Sequence, residues 1–138
     1  MSPTTSRARD WRWRRVGVHF RAGEFFPPDH DRRPPERGFT GLQRLCLTAL
    51  DPMRSRFGVC TVNSGYRSAQ RNQQVGGAPR SFHRYELREW RVPAADVRFA
   101  RGTPLDWARH AVSLGVGGVI RYPTHVHVDL RPITFHSL

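Results

Sequence analysis

Lysine is absent from this chain of 138 residues, and all 23 basic side chains are arginine. That bias reads as the codon usage of a GC-rich genome rather than a chemical choice. Against 11 acidic residues it leaves a formal charge of +12, which attracts polyanions such as nucleic acid, anionic lipid or cell-wall polymers without selecting among them. No helix carries a dense basic face and no RNA-binding aromatic pattern occurs, so no specific nucleic-acid site is expected. Cysteine is scarce. Cys46 and Cys60 make no disulfide framework and read as small buried apolar residues, although one bridge between them stays open. No apolar run approaches the roughly 18 residues of a membrane span. The N-terminus lacks the apolar stretch of about 7–15 residues that marks a secretory signal. Internal repeats and low-complexity tracts are missing too. With 12 glycines and 11 prolines, the length suits one loop-rich globular domain.

Residues 1–15 read as a basic N-terminal arm whose end docks, and residues 16–138 as a single domain. Trp11 and Trp13 alternate with Arg12 and Arg14, which suits an edge strand or an extended arm, or tryptophans packed on the domain. Val16–Phe26 is apolar and aromatic, and the Pro-rich, charged stretch 27–38 is a surface loop. Thr40 and Gln43 offer a capping box, followed by Leu42, Leu45, Cys46, Ala49, Leu50 and Met53 at helical spacing. Phe57–Val62 reads as a buried strand, Asn63–Arg67 as a turn, Ser68 to about Gln74 as a short helix, and Ala94–Ala100 as a strand. Thr103, Pro104 and Asp106 start another helix that Gly115 ends. Val116–Tyr122 and Thr124–Leu130 form a hairpin turned at Pro123. The fold class is therefore α+β: a small central antiparallel sheet with flanking helices.

The chemistry concentrates in the last third. Strand side chains alternate faces, so His125, His127 and Asp129 share one face and Val126 and Val128 the other. Together with Ser81-x-His83 and Ala94-Ala95-Asp96, this supplies the imidazole and carboxylate ligands of a mononuclear zinc site.

In order along the chain stand Glu24-Phe25-Phe26, the Leu-rich helix, Val62 to Ser68, Asn72, Val75 to Ala78, Ser81-x-His83, Ala94-Ala95-Asp96, and Gly117-Gly118 through Tyr122-Pro123 to His127-Val128-Asp129-x-Arg131. The ordered set, from about residue 20 to residue 132, resembles the zinc D-Ala-D-Ala carboxypeptidase-like family of peptidoglycan peptidases, grouped with lysostaphin-type and hedgehog-type domains. The resemblance implies the hedgehog/D-Ala-D-Ala-peptidase fold, zinc as cofactor, and His83, Asp96 and His127 as its ligands. It implies that Arg67 reaches the substrate and steadies an oxyanion, that Ser81 helps hold the site or the substrate, that Tyr66 meets substrate, and that Asp129 or a backbone carbonyl orients a ligand histidine. The implied substrate is a peptidoglycan stem peptide, cut beside a D-amino acid by carboxypeptidase or endopeptidase action. The composition and the missing signal suit a phage-encoded enzyme, present in the host cytoplasm before lysis or carried in the virion. A tail or head protein that keeps the fold and contacts other virion proteins is the alternative.

Two features differ from the family's pattern. The usual His-x-x-Gly-x-Ala-x-Asp spacing is stretched, with Asp96 thirteen positions after His83 (96 − 83). The longer loop costs only about 0.5 kcal/mol in closure entropy and reshapes the cleft rim, where Trp90 or the arginines can reach substrate. Thr124 also stands where relatives supply a base. His125 is the nearest titratable group and suits proton transfer near neutral pH; Glu86 and Glu89 in the longer loop are the other candidates.

Overall fold

The computed structural model describes residues 8–138; residues 1–7 of the arm lie outside the described residues. Five strands form one sheet in the order β1-β2-β4-β3-β5: β1 (Cys60–Ser64), β2 (Ala94–Phe99), β3 (Gly118–Arg121), β4 (Val126–Asp129) and β5 (Phe135–Ser137). All pairs are antiparallel except β3 with β5. The antiparallel centre of the sheet agrees with the sequence reading. The parallel β5 was not anticipated, because its three residues are all exposed and show no alternation of polarity.

Helix α1 (Glu36–Leu45) runs through a π-helical turn, Cys46–Leu50, into α2 (Asp51–Phe57). It starts earlier than Thr40. Pro35, with φ −66° and ψ 163°, holds the N-cap, and Glu36 meets the positive helix end while bonding Arg14 at 2.9 Å and Arg33 at 3.1 Å. Thr40 sits inside the helix and donates to the Glu36 carbonyl at 3.2 Å. The apolar stripe Leu42, Leu45, Cys46, Ala49, Leu50 and Met53 is buried as its spacing requires.

The strand expected over Phe57–Val62 begins later. Phe57 closes α2, Gly58 turns the chain with φ +82°, and β1 is a half-exposed edge strand. Helix α3 (Ala69–Gln74) is capped by the Ser68 hydroxyl, which accepts from Arg71 N at 3.2 Å. Helix α4 (Pro104–Ser113) carries the Thr103–Asp106 capping box and packs on β3 and β4. The β3–β4 hairpin closes with Tyr122 N donating to the His125 carbonyl at 3.0 Å, around Pro123 and Thr124.

Trp11 and Trp13 lie in a 3-10 turn, Asp10–Trp13, rather than in a strand or extended arm. The turn puts them in different surroundings: Trp11 is 3% exposed and Trp13 76%. Arg12 between them donates to four carbonyls, those of Pro27, His30, Gly23 and Phe26, at 2.8–3.1 Å. One guanidinium thus shapes the loop after Ala22–Phe25. No helix among the described residues is long and apolar enough to cross a membrane.

Candidate metal centre

Strand register sets the site. Asp96 pairs with His127 across β2 and β4, and Ala94 pairs with Asp129. Alternation places Ala94, Asp96, His127 and Asp129 on one face. Ala95, Val97, Val126 and Val128 lie on the other, fully buried in the core, where each such valine contributes about 1.5–3 kcal/mol. On the other side of β4, Gly118 pairs with Asp129. Asp129 is therefore flanked by alanine and glycine, and a methyl group at Gly118 would collide with its carboxylate.

His83 reaches the same place from a loop. Its backbone N–H donates to Ser81 Oγ at 3.1 Å, its carbonyl accepts from Arg67 N at 2.8 Å, and its Nδ1 lies 2.7 Å from the Gly65 carbonyl. That carbonyl can only accept, so Nδ1–H donates to it and Nε2 is the nitrogen turned toward Asp96. Gly65 itself has no room for a side chain beside the Phe25 carbonyl.

Three donor atoms converge. His83 Nε2 is 3.2 Å from Asp96 Oδ1, His127 Nδ1 is 3.0 Å from the same oxygen, and the two nitrogens are 3.3 Å apart. Ligands about 2.0–2.1 Å from one ion in tetrahedral geometry sit roughly 3.3–3.4 Å from one another, so the triangle needs to open by only a few tenths of an ångström. The three residues form a group able to hold a metal ion, and two imidazoles with one carboxylate fit a borderline-soft divalent cation.

The outward nitrogens are held as metal-binding imidazoles commonly are. His127 Nε2 lies 2.7 Å from Asp129 Oδ2. Asp129 is fully buried and also accepts from Arg131 N, Nε and Nη2 at 2.6–2.9 Å. Arg131 is pinned in turn over the Phe82 ring, 4.1 Å from its centroid. Burial works against the charged forms of Asp96 and Asp129. For Asp96 the hydrogen bonds with His127 and His83 outweigh it, and for Asp129 those with Arg131 and His127 do, so both stay far below the usual carboxylate range. Burial likewise favours neutral His127, but its bonds with Asp129 and Asp96 raise its pKa above the ordinary value.

Beside Asp96 opens a cavity of about 590 Å³ walled by Tyr66, Arg67, Arg71, Asn63 and Pro27, among others. Half-buried Arg67 has an unpartnered Nε. Burial lowers its pKa, and the charge of Asp96 works the other way. Asn72, from the segment matched in sequence, donates to the Ala78 carbonyl at 2.6 Å and holds the Gly76–Gly77 turn against Arg67.

The other residues singled out from sequence fall nearby or elsewhere. His125 stacks on Tyr122 with ring centroids 4.7 Å apart and lies 3.3 Å from Thr124 Oγ1; no hydrogen bond among the described residues joins it to the three converging side chains. Tyr66 is buried against Trp90, 5.3 Å away and nearly parallel. Glu86 sits 3.7 Å from Arg84, and Glu89 3.7 Å from Arg91, so neither points its contacts at the metal group. Sequence reasoning allowed for Asp129 or a backbone carbonyl behind a ligand histidine without locating the carbonyl; the structure has Asp129 behind His127 and the Gly65 carbonyl behind His83. Gly117-Gly118 opposite an acidic strand residue was the available signal for a buried carboxylate.

No curated protein matches the chain. The family model Peptidase M15 matches residues 28–129, well over half of the sequence and spanning every residue of the converging group, and the chain belongs to that family.

Proposed function

We propose that the protein is a zinc-dependent peptidase that hydrolyses a peptide bond next to a D-amino acid in peptidoglycan stem peptides. The observation that carries this reading is the triangle of His83 Nε2, Asp96 Oδ1 and His127 Nδ1, 3.0–3.3 Å on a side, at the edge of a cavity that also holds Arg67. The same two-histidine, one-carboxylate set serves mononuclear iron oxygenases; membership of a peptidase family favours zinc and hydrolysis. Zinc bound there supplies Lewis acidity toward the scissile carbonyl and makes a nearby water more acidic.

The remaining roles belong to the chain. Arg67, with a permanent charge and a free donor, binds the carbonyl oxygen as negative charge develops on it. His125 takes a proton from the attacking water and returns it to the leaving amine as the C–N bond breaks. Tyr66 walls the cleft against substrate, and Ser81 fixes the loop that presents His83. The excess of arginine suits work on an anionic cell wall, in keeping with a phage-encoded lysin.

Mass spectrometry of a stem pentapeptide incubated with the zinc-loaded protein tests the reading. Release of D-Ala or of a shortened stem, lost in His125→Ala while zinc content persists, is expected. Full zinc occupancy with an intact peptide contradicts it and leaves an architectural role in a virion.

A further inference from the structure

The cavity beside Asp96 is one end of a longer trench. It shares Pro27, Tyr66 and Arg71 with a second hollow of about 280 Å³, and that hollow shares His30 and Tyr66 with a third of about 560 Å³. The Pro-rich loop from Pro27 to Pro35 forms one wall throughout, and Arg12 holds the start of that wall through the Pro27 and His30 carbonyls. The far hollow is lined by Arg32, Arg33, Arg37, Tyr66, Glu86 and Trp90, together with His30 and Pro35.

Its chemistry is lopsided. Three arginines and one glutamate line it. Arg33 is bonded to Glu36, and Arg37 Nε donates to the Glu89 carbonyl at 2.9 Å, so part of that charge is held in place. Arg32 has no hydrogen-bond or ion-pair partner among the described residues. The Tyr66–Trp90 stack supplies a flat apolar wall, and His30 Nε2 and Glu86 Oε2 are buried there without partners. The longer loop between His83 and Asp96 builds this wall. After the 3-10 turn Tyr85–Arg88, Glu89 and Trp90 adopt left-handed φ values of 52° and 65°, and the indole meets Gly38 of α1, where a larger residue would crowd it.

We infer that this far hollow is an accessory subsite that binds a carboxylate carried by the peptide substrate several bonds away from the scissile amide. A planar carboxylate matches the arginine fork, and the aliphatic part of the ligand lies against the Tyr66–Trp90 face. The inference rests on the peptidase reading for the identity of the peptide, but not for binding itself.

Binding is measured on the metal-free protein, where no turnover occurs, through the Trp90 indole N–H resonance. The probes are a stem pentapeptide whose γ-linked mid-chain glutamate has a free α-carboxyl, the same peptide amidated there, and inorganic phosphate. The free carboxylate is expected to shift the Trp90 signal and bind about tenfold more tightly than the amide, as loss of one charge-assisted hydrogen bond predicts. Arg32→Glu, at an exposed position, is expected to abolish that preference. Equal affinity for the two peptides, no movement of Trp90, or displacement by phosphate at the concentrations at which the peptide binds would overturn the assignment. The zinc-loaded protein given the same peptides separates the two ideas. A carboxylate preference without cleavage ends the peptidase reading and keeps the subsite; cleavage without the preference does the reverse.

Discussion

Asp129→Asn probes the site through a residue that touches no metal. The substitution keeps the side chain's shape and removes its charge. Asp129 is 0% exposed and accepts from His127 Nε2 at 2.7 Å and from Arg131 Nη2 and Nε at 2.6 and 2.8 Å. Arg131 cannot simply swing out to water, since it lies over both Phe82 and Phe135. The variant therefore leaves a largely buried guanidinium facing an amide. Removing one member of a buried pair costs about 3 kcal/mol or more, which for a chain of this size lowers Tm by roughly 10 °C. The amide also accepts less strongly from His127, which reduces that ring's basicity toward the metal, and loss of such an outer partner costs about 10–100-fold in affinity. Zinc competition with a chromophoric chelator measures the second effect, and urea denaturation of the metal-free protein the first. A variant that binds zinc within about twofold of the wild type, with stability within the roughly 0.5 kcal/mol typical of a surface change, would refute the claim that Asp129 holds His127.

In the metal-free protein, the raised pKa of His127 means that its ion pairs stabilise the fold fully below its unfolded value of about 6.5 and fade as pH climbs through the folded value. Thermal melts in chelator should therefore fall from pH 6 towards pH 9. Zinc added at the upper end should restore Tm, because the metal then competes with no proton. Arg12→Ala leaves the carbonyls of Pro27, His30, Gly23 and Phe26 without their shared donor and should cost about 2–3 kcal/mol, seen by urea denaturation, with faster proteolysis at residues 22–30. Gly118→Ala drives a methyl group into the Asp129 carboxylate and should weaken zinc binding by about tenfold or more through the same outer contact, read by chelator competition.

The metal group was legible because its parts follow simple rules. Alternation in β4 fixes which face His127 and Asp129 share, and antiparallel pairing then brings Asp96 of β2 opposite His127. The helix from Thr103 was legible because its capping box and N1 proline are local. The start of α1 was not. Thr40 imitates a cap, but Pro35 and the Glu36 ion pairs, set by Arg14 from a distant segment, begin the helix sooner. Trp11 and Trp13 alternate in sequence as strand residues do, yet tertiary burial of one ring overrides that pattern. The Gly65 carbonyl that receives His83 belongs to the backbone and leaves no trace in side-chain identity beyond the glycine itself. The roles of Arg67 and His125 depend on where a substrate lies, which no spacing along the chain encodes.

Zinc K-edge X-ray absorption on the loaded protein tests most directly whether these three side chains share one ion. One zinc per chain is expected, with only nitrogen and oxygen neighbours at about 2.0–2.1 Å, two of them imidazole, and that spectrum is lost in His127→Ala. A sulfur neighbour near 2.3 Å, which would bring in Cys46 or Cys60, or a zinc environment unchanged by His127→Ala, would contradict it.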